Sequence, residues 1–291
     1  GLRIASMPRG AAFFDQTHWP YLDGYPDDLS NLSQVMPDVL WSGLVHTPWN
    51  HAGDEGFWET LRAQTQALRA STDRALMVVV GCNLFEWGTF LRRIDNFLMD
   101  LVVDTANVER LLDALLEIHF DTLDHVIASV GDLVDVLRFG DDLGMDNGPL
   151  MSPATYRAIF KPRHAALNAY VHERSTLKTF LHSCGSLYDL MPDIIETGVD
   201  ILNPVQITAR DMEPEKLKAE FGDAITFWGG GADTRQVLPK GTPDEVRDHV
   251  RRNIDTLAPG GGFVFATAHN MLPDVPPQNI EAMYEAIDEY R

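Results

Sequence analysis

The sequence predicts a single-domain α/β protein, a (β/α)8 TIM barrel, on three observations. From about residue 75 onward, short β-branched or aromatic runs alternate with longer segments of helical periodicity. Six or seven such units in series imply a parallel sheet joined by crossover helices. No Gly-x-Gly-x-x-Gly follows an early strand, and the Gly-rich pieces Gly229–Gly231 and Gly260–Gly262 sit late. That favours a closed barrel over an open, doubly wound sheet.

Residues 1–54 are rich in Pro, Trp and Asp and read as an irregular segment covering a mouth of the barrel, which itself occupies 55–291. Within 1–54, Asp38–Val45 (DVLWSGLV) is a candidate strand. The remaining strands, in order, are Ala75–Cys82, Leu133–Asp141, Thr176–Cys184, Val199–Asn203, Ala224–Gly229 and Gly262–His269. Helical periodicity covers roughly 55–71, 104–129, 153–174, 186–197, 212–221, 243–257 and 276–289. Ser152-Pro153 and Thr242-Pro243 each set a capping hydroxyl before a proline at the first helical position. Glu245, three residues after Thr242, completes a capping box. Gly198 and Gly222 fall where helix C-caps would sit.

Composition narrows the function. Acidic residues number 43 against 23 basic ones, a net charge of −20, and such a surface repels nucleic-acid phosphates. No apolar run reaches the ~18 residues that span a bilayer, and no signal-peptide h-region opens the chain. The first residue is not Met, so the chain reads as trimmed. Two cysteines, Cys82 and Cys184, exclude a disulfide scaffold and a four-cysteine zinc module, and fit a reducing cytoplasm.

In a barrel, chemistry gathers at the C-terminal ends of the strands. Those ends here carry Cys82, Asp141 and Asp142, His182 and Cys184, Asn203 and Gln206, Gly229 to Asp233, and His269 with Asn270. In a strand, residues two apart point to the same side, so His182 and Cys184 can converge on one ion while Ser183 faces away. An imidazole and a thiolate suit Zn²⁺, although a buried structural Cys beside a hydrogen-bonded His accounts for the pair equally well. A catalytic zinc needs a third protein ligand, for which His269 is the best candidate and Cys82 a second one that reads better as a small buried hydrophobe. Period-two geometry sends one of Asp141 and Asp142 inward, as a ligand, a general base, a substrate anchor or a cap. Gly229–Gly231 would let a ligand approach the backbone, or simply turn the chain. Met145, Met151, Met191 and Met271 line an apolar pocket or fill core gaps.

From about Phe85 onward the chain resembles the uroporphyrinogen decarboxylase superfamily, and within it the branch that includes corrinoid-dependent methyltransferases. The matching stretches are FGDDLG (139–144), SPATYRAIFKPR (152–163), HSCGSLYDLMPDIIETGVDILNPVQ (182–206), LKAEFGDAITFWGGGADTRQVLPKGTPDEV (217–246) and APGGGFVFATAHNMLPDVPPQNIEAM (258–283). The resemblance implies a (β/α)8 barrel. It also implies zinc bound by a His-x-Cys pair, matched by His182 and Cys184, and by a later Cys, whose place His269 takes in HNMLP. Two imidazoles and one thiolate make a less anionic site than one imidazole with two thiolates.

The function this implies is zinc-dependent methyl transfer between a methylated corrinoid (methylcobalamin) on a separate protein and a small substrate. His182, Cys184 and His269 would be the ligands, and Asp142 a fourth ligand or the acid/base; Asp142 and His269 are the expected catalytic residues. Asn203, Gln206, Trp228 and Asp141 would orient the substrate. No nucleic acid or membrane partner is expected, and a homodimer is left open. Metal-free decarboxylation of a tetrapyrrole is the alternative, but the early arginines, Arg3, Arg9, Arg62, Arg69 and Arg74, are not spaced as a carboxylate clamp. A non-catalytic barrel that only binds a corrinoid or tetrapyrrole is a third reading.

Overall fold

The computed structural model describes residues 1–44, 51 and 53–290. The chain falls into two compact units, residues 1–141 with 154–179, and 142–153 with 180–291.

In the first unit, a short antiparallel pair joins Ala5–Ser6 to Asp15–Gln16. The candidate strand Asp38–Val45 is not a strand: Asp38 ends a 3₁₀ turn over Met36–Asp38 and Leu40–Leu44 is helical. Pro37 sits at the start of that turn, where its fixed φ initiates a helical conformation, and Ser42 Oγ donates back to the Met36 carbonyl at 2.6 Å. Val45 lies outside the described residues.

Helix α1 (Phe57–Ser71) leads to strand β1 (Met77–Gly81). Helices α2 (Phe85–Arg92) and α3 (Ile94–Val103) follow, where the periodicity predicted no helix. Arg93 at φ 68° breaks the chain between them, and the Phe97 ring fills the space over Gly88, where a Cβ would lie 2.1 Å from its nearest carbon. Helix α4 (Thr105–Val130) buries Val108, Leu111, Leu112, Leu115 and Leu116, the i, i+3, i+4, i+7 stripe of an amphipathic helix. Strand β2 (Val136–Gly140) pairs parallel to β1, with Met77 opposite Val136. After Pro153–Thr155 and a π-helical turn over Tyr156–Phe160, helix α5 (Lys161–Arg174) completes the unit.

Strand β3 (Lys178–His182) begins in the first unit and ends in the second. There it pairs parallel with β4 (Ile201–Asn203), which pairs with β5 (Thr226–Trp228), which pairs with β6 (Phe263–Val264). The register sets His182 opposite Asn203 at the C-terminal ends of β3 and β4. Helices α6 (Met191–Glu196), α7 (Pro214–Phe221), α8 (Val237–Lys240), α9 (Pro243–Leu257) and α10 (Pro277–Asp288) alternate with these strands or follow them. All six strands expected from residue 75 onward form within their expected spans, and their described pairings are parallel, as the barrel class requires.

The capping box at α9 is present. Glu245 N donates to Thr242 Oγ1 at 3.3 Å, and Thr242 N donates to Glu245 Oε2 at 2.7 Å. Gly222 ends α7 at φ −62°, so close approach rather than left-handed geometry selects glycine there; a Cβ would lie 2.5 Å from the Lys218 carbonyl oxygen. Val246, Val250 and Ile254 of α9 pack with Ala282, Met283 and Ala286 of α10 into one apolar cluster. Among the described residues, no helix is long and apolar enough to cross a membrane.

Candidate metal centre

Three side chains converge in the second unit. Asp142 follows β2 by two residues, His182 ends β3, and Cys184 lies two residues further on. Their candidate ligand atoms all lie within 4.8 Å of one another, and all three residues are partly exposed. Cys184 Sγ is 3.4 Å from His182 Nε2, and Asp142 Oδ1 is 3.9 Å from the same nitrogen. The period-two prediction holds: Ser183 turns away, is 1% exposed, and its Oγ accepts the Leu143 N–H at 3.0 Å. Asp142 Oδ1 also accepts the Cys184 N–H at 2.8 Å, tying the carboxylate to the loop that carries the thiol.

The tautomer of His182 follows from its neighbour. Asn203 Nδ2 donates to the Trp228 carbonyl oxygen at 2.7 Å, which fixes the amide so that Oδ1 faces His182. His182 Nδ1 lies 2.6 Å from that oxygen and must donate, which leaves the Nε2 lone pair directed toward Cys184 and Asp142. One imidazole nitrogen, one sulfur and one carboxylate oxygen are all donors that zinc accepts, and the histidine's other nitrogen is hydrogen-bonded as metal-ligating histidines require. The residues present therefore fit a zinc ion.

The other expected site residues fall in different places. His269 lies in a bend after Thr267, half-buried, and does not join the group of Asp142, His182 and Cys184; Thr267 Oγ1 donates to its carbonyl oxygen at 2.6 Å. Asp141 is 1% exposed. Its carboxylate accepts the Phe85 and Glu86 N–H groups at 2.9 and 2.8 Å, capping α2, and lies 3.0 Å from His164 Nε2. His164 Nδ1 in turn lies 3.1 Å from the Tyr156 hydroxyl. Asn203 holds the histidine, as above. Gln206, 5% exposed, accepts the Gly185 N–H at 3.0 Å and donates to Asp146 Oδ1 at 2.8 Å. The Trp228 ring meets Phe180 edge-on at 5.4 Å.

The glycines of Gly229–Gly231 serve chain packing: a Cβ on Gly229 would lie 1.8 Å from the Pro204 carbonyl oxygen. Cys82 is 3% exposed, and burial pushes its thiol well above the ordinary range, so it stays a protonated apolar side chain. Met151 and Met191 are core, whereas Met145 and Met271 are exposed. The sequence offered no signal for the mutual approach of Gly144 and Gly185, whose backbones touch where a Cβ on Gly185 would lie 2.3 Å from the Gly144 carbonyl carbon.

A methylcobamide:CoM methyltransferase, MtaA, from Methanosarcina barkeri is 28% identical over 160 residues, covering 54% of this chain and 42% of the relative. The chain thus matches less than half the length of that enzyme. A uroporphyrinogen decarboxylase from Methylococcus capsulatus is 29% identical over 73 residues, covering 25% of this chain and 20% of that enzyme. A solved methyltransferase structure from Methanosarcina mazei superposes with a TM-score of 0.65 at 18% identity, covering 95% of this chain and 72% of that one, and so shares its fold. A family model described as uroporphyrinogen decarboxylase (URO-D) matches residues 79–290, about three-quarters of the sequence. The chain belongs to the uroporphyrinogen decarboxylase family.

Proposed function

We propose that this chain carries out zinc-dependent methyl transfer between a methylated corrinoid, held by a separate protein, and a small substrate. The observation that carries the reading is the convergence of Asp142, His182 and Cys184, with the His182 Nε2 lone pair aimed into the group. The similarity to a methylcobamide:CoM methyltransferase supports it. His182 and Cys184 supply the nitrogen and sulfur donors, and Asp142 or His269 the third. Bound there, zinc would lower the pKa of a substrate thiol and present it as a nucleophile. Whichever of Asp142 and His269 stays off the metal accepts the substrate proton or lines the substrate's approach. The corrinoid protein docks at the C-terminal ends of the strands, and the protein works in the cytoplasm.

Two measurements test this. Purified protein should carry about one equivalent of zinc, and His182→Ala with Cys184→Ala should remove it. Methylcobalamin with a simple thiol should then yield thioether and demethylated corrinoid, only with the metal-loaded protein. Full activity of the metal-free wild type would overturn the reading. Appearance of coproporphyrinogen from uroporphyrinogen under anaerobic conditions would replace it with the decarboxylase alternative, which the similarity to uroporphyrinogen decarboxylases keeps as the competing reading.

A further inference from the structure

The four residues Asn203-Pro204-Val205-Gln206, at the C-terminal end of β4, touch the metal loop at both of its ends. Asn203 Oδ1 accepts from His182 Nδ1 at 2.6 Å, and Gln206 Oε1 accepts from Gly185 N at 3.0 Å. The segment thereby brackets the stretch His182–Gly185, which holds two of the three donors. Both brackets are anchored on their far sides, Asn203 to the Trp228 carbonyl at 2.7 Å and Gln206 to Asp146 Oδ1 at 2.8 Å. Arg235 fixes Asp146 in turn, with Nη1 2.6 Å from Oδ1.

The segment reaches this position through an uncommon backbone. Val205 sits at φ 58°, a left-handed conformation that β-branched residues rarely adopt, and it is 1% exposed. Glycines of the β5 loop approach it closely. A Cβ on Gly229 would lie 1.8 Å from the Pro204 carbonyl oxygen, and one on Gly230 would lie 3.3 Å from Val205 Cγ1. Only glycine at 229 leaves room for Pro204, so the β5 loop sets the depth at which the segment sits.

We propose that Asn203 and Gln206 are positioning residues of one clamp, which holds the His182 ring and the Cys184 loop in ligating geometry before metal arrives, with Gly229 as its backstop. The proposal rests on the metal-binding part of the proposed function. Asn203 sets which imidazole nitrogen faces Cys184 and Asp142 and how the ring is turned. Gln206 sets the backbone of Gly185, and through it the direction of the Cys184 Sγ. Neither side chain is a donor to the metal.

The test compares wild type with Asn203→Ala, Asn203→Asp, Gln206→Leu and Gly229→Ala. Zinc affinity is read by competition with a chromophoric chelator, and the site by the thiolate charge-transfer and ligand-field bands of the Co²⁺-substituted protein. Circular dichroism and thermal melting confirm folding. The clamp predicts a loss of about ten- to hundredfold in zinc affinity for Asn203→Ala and for Gln206→Leu, with altered Co²⁺ bands. Asn203→Asp, which keeps an acceptor for His182 Nδ1, restores most of the affinity. Gly229→Ala, which changes no polar group, weakens binding as the side-chain variants do; if it fails to fold, the other three decide. Wild-type affinity and an unchanged Co²⁺ spectrum in folded Asn203→Ala and Gln206→Leu would overturn the clamp while leaving the metal site intact. A wild type that binds no zinc at all would overturn both.

Discussion

His119 shows how a single buried side chain couples this fold to pH. It is 1% exposed, and its Nε2 lies 2.8 Å from the Asn83 carbonyl oxygen. Burial pushes its pKa down from 6.5 to about 4, because the imidazolium would have to give up its hydration. Between those two values the unfolded chain binds a proton that the folded chain refuses. The stability that neutral His119 confers is therefore complete above pH 6.5 and falls away as the pH drops toward 4, by on the order of 3 kcal/mol. Urea unfolding across this window should show that slope, and His119→Asn should flatten it; an unchanged slope would remove His119 as its source. Asp141 makes a different prediction. It accepts two backbone N–H groups at the start of α2 and faces His164, so Asp141→Ala leaves buried donors unpaired and should cost about 3 kcal/mol or more. Zinc content should survive in whatever fraction folds, since Asp141 is not one of the three converging groups.

Elements were legible where one period dominated. The six strands announced themselves as short apolar runs ending in polar residues, and α9 by its Thr-Pro-x-Glu start. Helices α2 and α3 did not, for a reason visible in their packing. Phe85, Trp87, Gly88 and Leu91 of α2 are all buried, while α3 leaves Ile94, Met99, Val102 and Val103 exposed. Each helix buries a helical-period set, Trp87, Gly88 and Leu91 in α2 and Phe97, Asp100 and Leu101 in α3, but a charged residue sits within the buried stripe of α3 and apolar residues lie outside it, which blurs the pattern in the sequence. What holds them together is the Phe97 ring over Gly88, with the Arg92–Asp100 ion pair at 2.8 Å, its side chains 15% and 9% exposed. Gly88→Ala puts a methyl group into that ring and should destabilise the protein by roughly 2 kcal/mol despite alanine's better helix propensity. A neutral or stabilising result by thermal melting would show that Phe97 can move aside. The missed turn at Leu40–Leu44 has a similar origin: its alternating pattern resembles a strand, but Pro37 starts a helical turn just before it.

At the scale of the whole molecule, the strand–helix alternation and the family were both readable, because each is spread over many residues and survives local error. The site was readable only in part. His182 and Cys184 share one strand end, so a period-two argument reached them directly. The third member depends on which distant loop returns to that point; the sequence named His269, with Asp142 as a fourth ligand or the acid/base, and the folded chain groups Asp142 with the pair. Asn203 and Gln206 were recognised as functional positions, but their contacts with the metal loop were not legible, since only the register of β3 against β4 reveals that Asn203 faces His182. A bound metal also acts on the whole molecule. Zinc at a hundred times its dissociation constant should stabilise the fold by about 2.7 kcal/mol, and His182→Ala should abolish that gain in a chelator-controlled melt.

The central claim is that this chain holds one zinc ion through a single sulfur. X-ray absorption at the zinc edge of the wild-type protein tests it most directly. The account predicts one sulfur at about 2.3 Å and nitrogen or oxygen neighbours at about 2.0–2.2 Å, with the sulfur shell lost in Cys184→Ser and kept in Cys82→Ser. An absence of zinc, or a shell without sulfur in the wild type, would contradict it.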